Sequence, residues 1–253
     1  NKDFILFLSL LTVALSLNIS FNEYNKSKFF NSSNFIFSSL YETKYTISKY
    51  FNLEFQNNLL REENRELRLL LYNRESEVLN KENFKFNVIS SSVIKNSYSY
   101  SNNFITIDKG KKEGIKIDNG VISSKGVVGI IDKTSENYSR FISILNTNFL
   151  LNAKFKNSNY FGVLSWNGLS TNKVQLKDVP KQANVVIGDT IVTGGNSLIF
   201  PKGILIGYVD SFKLDNSENY LELEVNLSTD MTNIENLYII ENNNIKEINS
   251  LNE

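Results

Sequence analysis

Hydrophobic positions fall into three regimes along the chain, and each predicts a different element. From Phe4 to Phe21 (FILFLSLLTVALSLNISF) the run carries no charge. As a helix it would rise roughly 27 Å, close to the ~30 Å hydrocarbon core of a bilayer, so a transmembrane helix is expected after a short cytoplasmic end at residues 1–3. A cleaved signal peptide would have a shorter apolar region ending in a small-residue site, which this run lacks. Lys2 before the run is matched by Lys26 and Lys28 after it, so local charge gives no orientation.

Residues 22–45, rich in Asn and Ser with scattered aromatics, read as a juxtamembrane linker. From about Tyr41 to Asn83 there is neither Gly nor Pro, and Leu, Glu, Lys and Arg accumulate, which predicts a long helix. Over 46–83 the pattern fits heptads. Leu53, Leu60 and Leu67 fall at d, and Tyr50, Asn57, Asn64, Leu71 and Val78 at a. Two asparagines at a would fix register at some loss of stability, and Arg74 at the next d would loosen the seam. A homodimeric coiled coil is expected, with Leu53, Asn57, Leu60, Asn64, Leu67 and Leu71 as its contact residues; the competing reading is an amphipathic helix packed on its own domain.

Beyond residue 84 the apolar runs shorten to four to eight residues, rich in β-branched side chains and separated by Gly, Asn-Gly and Asp. This pattern predicts a mostly antiparallel β domain, a sandwich or barrel. A repeat runs through it. Ile117-Asp-Asn-Gly-Val-Ile-Ser matches Ile187-Gly-Asp-Thr-Ile-Val-Thr, Gly126-Val-Val-Gly-Ile-Ile-Asp matches Gly203-Ile-Leu-Ile-Gly-Tyr-Val-Asp, and both copies continue to Ser-Glu-Asn-Tyr. Two similar small β lobes follow, with glycines at bulges or bends and an insertion, Asn196 to Lys202, in the second copy. Within LIFPKGILIGYVD, Pro201-Lys202-Gly203 is a corner between strands, with Leu198 to Phe200 covering one lobe.

Composition narrows the chemistry. The chain of 253 residues has zero formal net charge, no histidine and no cysteine. Disulfides, thiolate nucleophiles, imidazole ligands and the commonest general base are therefore excluded, and no basic field attracts nucleic acid.

The order of these blocks carries a family likeness. An apolar segment and a helix with EENREL (Glu62 to Leu67) precede ITIDKGKKEGI (Ile105 to Ile115) and GVVGIID with SENYSRFISIL (Gly126 to Leu145). GVLSWNG (Gly162 to Gly168), GDTIVTGG (Gly188 to Gly195) and FPKGILIGYV (Phe200 to Val209) follow. Together they resemble the MreC rod shape-determining proteins over about residues 4–241, with Gly194 standing where the family more often has Ser. The resemblance implies a mainly β extracytoplasmic part, two small β-barrel-like lobes after an N-terminal transmembrane helix and a long coiled-coil helix. It implies a single-pass bacterial inner-membrane protein, mostly periplasmic. No enzyme, cofactor or metal is implied. The role would be a scaffold of the lateral-wall peptidoglycan machinery that maintains cell shape, joining a class B penicillin-binding transpeptidase, RodA and MreD, and tied to MreB. A likeness to chymotrypsin-like barrels suggests a first lobe of 84–130 plus 203–241, a second of 131–202, and a polar tail at 242–253. The alternatives are a barrel hydrolase acting on wall peptide and an adaptor of a secretion or efflux system.

Tyr138, Trp166, Phe200 and Pro201 are candidates for a partner surface, although core or turn packing suits the three aromatics better than an exposed anchor does. Lys109, Lys111 and Lys112 form a basic turn. Asp108, Asp118, Asp132, Asp189 and Asp210 recur near turns, where capping explains them better than acid–base work. Ser123, Ser124 and Lys125 are adjacent, but a Ser-Lys dyad needs a desolvated lysine in a cleft.

Overall fold

The computed structural model describes residues 2–21, 53–73, 85–195, 197–215, 219–245 and 248. The chain divides into two compact units, Asn1–Leu60 and Arg61–Glu253. Helix α1 (Lys2–Phe21) covers the uncharged run and opens with Asp3 in its first turn, where the helix dipole favours an acid. Large apolar side chains from Phe4 to Leu11 are exposed. Among the described residues no helix is long and apolar enough to cross a membrane. Helix α2 spans residues 53–73, and Glu62 pairs with Arg65 one turn on at 2.7 Å. The expected linker at 22–45 and the outer parts of the expected coil, with Tyr50, Arg74 and Val78, lie outside the described residues.

The β domain is two closed six-stranded barrels with every pairing antiparallel. The first contains β1 (Phe86–Lys95), β2 (Asn102–Ile107), β3 (Gly120–Ile122), β4 (Val127–Thr134), β5 (Ser139–Asn146) and β12 (Asn236–Asn242), in the order β1-β12-β3-β4-β5-β2. The second contains β6 (Leu151–Phe155), β7 (Phe161–Ser165), β8 (Lys173–Pro180), β9 (Thr190–Thr193), β10 (Leu205–Leu214) and β11 (Tyr220–Leu227), in the order β10-β11-β8-β7-β6-β9. Closure removes sheet edges, and alternation along each strand fills the interior. Ile105, Ile107, Val121, Phe141 and Ile239 fill one barrel, and Leu164, Val174, Leu176, Ile191 and Val225 the other.

The sequence repeat is a structural repeat. Its first copy is β3-β4-β5 and its second β9-β10-β11, with the same register: Val121 pairs with Gly129, and Ile191 pairs with Gly207. Each copy then bulges one residue at its aspartate, between Ile131 and Lys133 and between Val209 and Ser211. At Gly129 a Cβ would strike the Ile142 carbonyl, and at Gly207 the Asn226 carbonyl. Glycine is needed there for close strand approach, and the bulge two to three residues later bends the strand around the barrel.

This repeat corrects the expected lobe boundaries. A cut at 130/131 would sever β4, and assigning 203–241 to the first lobe would remove β10 and β11 from the hairpins that bury them. The first barrel instead takes all of β1 to β5 plus β12 alone, and the second takes everything from β6 to β11. The polar tail also begins later than expected, because Asn242 is buried in β12 and donates to the Leu198 carbonyl at 2.8 Å.

The β9–β10 connection joins the barrels. Its Phe200 ring, 1% exposed, lies over Gly120 of β3 in the other barrel. Thr193 locks the corner by donating its hydroxyl to the Pro201 carbonyl (2.6 Å) while accepting from the Ile204 amide (2.9 Å). Ser228 Oγ lies within hydrogen-bond distance of the Lys125 carbonyl (2.9 Å) in one barrel and the Ile206 carbonyl (3.0 Å) in the other.

Candidate interaction surfaces

Residues 61–73 of α2 pack on the first barrel through one face. Arg61, Arg65 and Arg68 recur at helical spacing, so their guanidiniums point the same way. Arg61 donates to Ser92 Oγ at 3.0 Å, Arg65 to the Val88 carbonyl at 3.3 Å and Arg68 to the Ser124 carbonyl at 3.2 Å. Arg68 also stacks 4.7 Å from the Tyr238 ring centre, while Leu69 and Tyr72 pack against the core. Burial raises the Tyr72 pKa above its ordinary value, with Arg68 opposing. Asn73, fully buried, donates to the carbonyls of Leu69 (2.7 Å) and Phe86 (2.8 Å) and accepts from the Phe86 amide at 2.8 Å. A neutral amide thus satisfies the start of β1 where an apolar side chain would leave its N–H and carbonyl unpaired.

For 61–73, then, the helix does pack on its own domain. Leu53, Leu60, Leu67 and Leu71 are exposed on a face turned about 100° from the arginines. One helix therefore carries a barrel-facing cationic stripe beside an exposed leucine stripe.

Of the four residues expected at a partner surface, only Tyr138 is exposed. Trp166 is buried and donates its indole N–H to the Ser170 carbonyl at 2.7 Å. Phe200 and Pro201 are buried at the joint between barrels. These three are packing residues, because rings flanked by glycine turns are drawn into the gaps the turns leave. Exposed apolar groups occur instead on β10. β9 pairs with it only as far as Tyr208, and beyond that Phe212 and Leu214 stand exposed opposite Leu223 and Leu221 of β11.

The polar candidates resolve into structural contacts. Asp108 accepts from Ser91 Oγ and the Ser92 amide, both at 2.8 Å, and Asp189 from the Val186 amide at 2.9 Å. Asp118 sits in the left-handed region at φ 67. The two bulge aspartates each meet a cation: Asp132 pairs with Arg140, and Asp210 accepts from Lys173 Nζ at 2.7 Å. Hydrogen bonds from Lys173 and then Asn226 hold the Asp210 carboxyl below the ordinary range, and the bond to Asp210 raises Lys173. Ser123 Oγ is engaged with Thr229 Oγ1 at 2.8 Å and with the amides of Lys125 (3.0 Å) and Gly126 (3.1 Å). In the basic turn, Lys112 donates to Asn137 Oδ1 at 2.8 Å. Lys154, almost buried, has its pKa lowered by burial first and by neighbouring Lys202 second. Among the described residues no cluster of three or more Asp or Glu side chains is placed to hold a metal ion.

Sequence reasoning missed the arginine stripe and the Asn73 clasp. The spacing 61, 65, 68 was a signal for the former. A single Asn in a helix of many gave none for the latter.

These features define a tandem β-barrel protein whose conspicuous surfaces are a two-faced helix and an apolar strand overhang. A family model described as "Rod shape-determining protein MreC, barrel core" matches residues 93–241. The cell shape-determining protein MreC of Escherichia coli (strain K12) is 31% identical over 120 residues, covering 47% of this chain and 32% of that relative. The chain thus spans about a third of the length of that curated relative. Among solved structures, MreC of Listeria monocytogenes matches with a TM-score of 0.60 at 22% identity, covering 79% of this chain and 94% of that one. A complex between Penicillin-Binding Protein (PBP2) and MreC from Helicobacter pylori matches with a TM-score of 0.51 at 15% identity, covering 63% of this chain and 100% of that one. The chain belongs to the MreC family.

Proposed function

We propose that this chain is a non-enzymatic, membrane-anchored scaffold of lateral-wall peptidoglycan synthesis that helps maintain cell shape. The observation that carries the reading is membership of a family in which the Helicobacter pylori relative is solved in complex with a penicillin-binding protein. The single-pass inner-membrane anchor, with the barrels on the periplasmic side, is assigned to the run Phe4–Phe21; the support is the absence of charge along that stretch of sequence together with the family likeness, not the described helix, which by itself does not meet the length and apolarity of a membrane span. A homodimer forms through Leu53, Asn57, Leu60, Asn64, Leu67 and Leu71, supported by the exposed leucine stripe beside the barrel-bound arginines. Pairing on a shared membrane would raise avidity for a transpeptidase without further contacts. RodA, MreD and MreB complete the expected partners.

The transpeptidase docks on the second barrel, over Phe212 and Leu214, two exposed apolar side chains two residues apart on the β10 overhang that a partner would remove from water together. The test is affinity purification of the full chain from native membranes treated with a fluorescent penicillin. A labelled class B transpeptidase should co-purify, and Phe212→Asp should lose it. Absence of any labelled protein with the unaltered chain overturns the scaffold reading, and turnover of peptidoglycan fragments by the purified chain would overturn the non-enzymatic one.

A further inference from the structure

We propose that a groove on the first barrel, remote in function from the transpeptidase surface, is a binding site for a linear glycan bearing acidic groups. It has a volume of about 540 Å³ and lies between the β1–β2 loop and the outer face of β2 and β5, with Lys95, Tyr98, Tyr100, Phe104 and Arg140 in its lining.

The floor is a flat stack. The Arg140 guanidinium lies 4.1 Å from the Phe104 ring centre, and Asp132 holds it there through two hydrogen bonds, one from Nε to Oδ1 at 3.1 Å. Tyr98 and Tyr100 form the wall, and Tyr100 is 70% exposed. Their loop is held in place. Fully buried Asn103 accepts from the Tyr100 amide and the Ser97 hydroxyl, each at 3.0 Å, and donates to the carbonyls of Tyr100 and Leu145, each at 2.6 Å. Asn96 donates to the Met231 carbonyl at 2.8 Å. A buried amide spends four hydrogen bonds fixing a loop whose rings remain in water. That arrangement gains the fold little burial and gives a ligand a preorganised wall.

The chemistry of the lining selects the ligand. In KNSYSY (Lys95 to Tyr100) a polar Lys-Asn lead is followed by Ser97-Tyr98-Ser99-Tyr100, in which hydroxyl side chains alternate with rings. Protein docking sites instead gather their apolar groups in a desolvated centre with a polar rim. The alternation suits a ligand that is itself apolar on its faces and polar on its edges at every unit, as a pyranose chain is: C–H faces stack on Tyr98, Tyr100 and Phe104, and hydroxyls meet the amide and hydroxyl fringe. Charge adds the acidic group. Asp132 answers Arg140, whereas Lys95 makes no ion pair among the described residues, so the groove presents one uncompensated cation.

The choice of glycan rests on the wall-facing placement proposed above; the site itself does not. The purified full chain is titrated calorimetrically with peptidoglycan glycan strands stripped of peptide by an amidase, which bear free carboxylates, and with neutral chitohexaose. Stripped strands should bind more tightly than chitohexaose. Tyr98→Ala and Tyr100→Ala should each weaken both by about tenfold, as loss of a stacking ring does, with the melting temperature unchanged. Lys95→Ala should erase the preference for the acidic strand. No binding of either glycan, or binding indifferent to both tyrosine variants, overturns the proposal. So does loss of the co-purifying transpeptidase in the tyrosine variants with glycan affinity intact, which would make the groove a protein-docking surface. Glycan binding that persists where no transpeptidase co-purifies supports this site and sinks only the scaffold reading.

Discussion

The ring of Phe200 lies so close to Gly120 that a Cβ on the glycine would fall 2.5 Å from ring atom Cε1. The two residues belong to different barrels, one in the β9–β10 connection and the other in β3, so the missing side chain of one creates the seat for the other. Two barrels are thereby joined by a buried aromatic rather than by surface polar contacts alone.

Replacing Gly120 by Val should therefore unseat Phe200 and destabilise the β domain by about 3 kcal/mol, the cost of forcing extra methyls into a packed site. Phe200→Ala should cost about 3–5 kcal/mol through the cavity it leaves. The double variant should cost clearly less than the two effects added, since the new side chain partly fills the vacated space. Urea unfolding of all three checks this, and strict additivity would count against the contact.

Gly129→Ala and Gly207→Ala should each be worse than Gly120→Ala, because a methyl there meets a backbone carbonyl that no rotamer change can move aside. Equal damage at the two positions is expected from their equivalent places in the repeat. Circular dichroism and thermal melts would register it as loss of more than about 3 kcal/mol or failure to fold.

Asn73→Leu should cost about 2–3 kcal/mol by leaving the N–H and carbonyl of Phe86 without their partner. It should also release the end of α2 from β1. Hydrogen exchange should show faster exchange at Phe86 and over residues 68–73, with the second barrel unaffected.

The proposed coil predicts that Leu60→Asp with Leu67→Asp abolishes self-association while residues 61–73 stay bound to the first barrel, because these positions face away from the arginine stripe. Sedimentation in detergent reads the first effect and hydrogen exchange over 61–73 the second. An unchanged dimer would remove the coil.

The Asp210–Lys173 contact predicts an acid limb. Asp210 has a lowered folded pKa, so its contribution is present above the ordinary carboxylate value of about 3.9 and is lost as pH falls through the folded value. Lys173 has a raised one, so its contribution is full below about 10.4 and is lost as pH rises through the folded value. Asp210→Asn should melt below the unaltered chain at pH 7, and the gap should close as pH is brought down through 4. A gap that persists at pH 2 would contradict the assignment.

Some of this was legible without coordinates. Alternating β-branched runs ending at Asn-Gly and Asp-Lys-Gly specify strands and turns locally, so the β domain and its doubling could be read from the chain, as could a helix through EENREL free of Gly and Pro. The glycine inside each GVVGIID-like run was legible as a bend, because only a residue without Cβ tolerates such strand approach.

What the chain alone could not settle was which strands close which barrel. Partner choice depends on contacts between residues far apart in sequence, as when β12 at 236–242 inserts between β1 and β3, and no local periodicity encodes that distance. The fates of Phe200 and Trp166 were undetermined for the same reason. An aromatic beside a glycine turn can face solvent or fill a gap, and only the packing of a second element, Gly120 in one case and the Ser170 carbonyl in the other, drew each ring inside. Periodicity thus determined the elements, while burial between distant elements decided their partners.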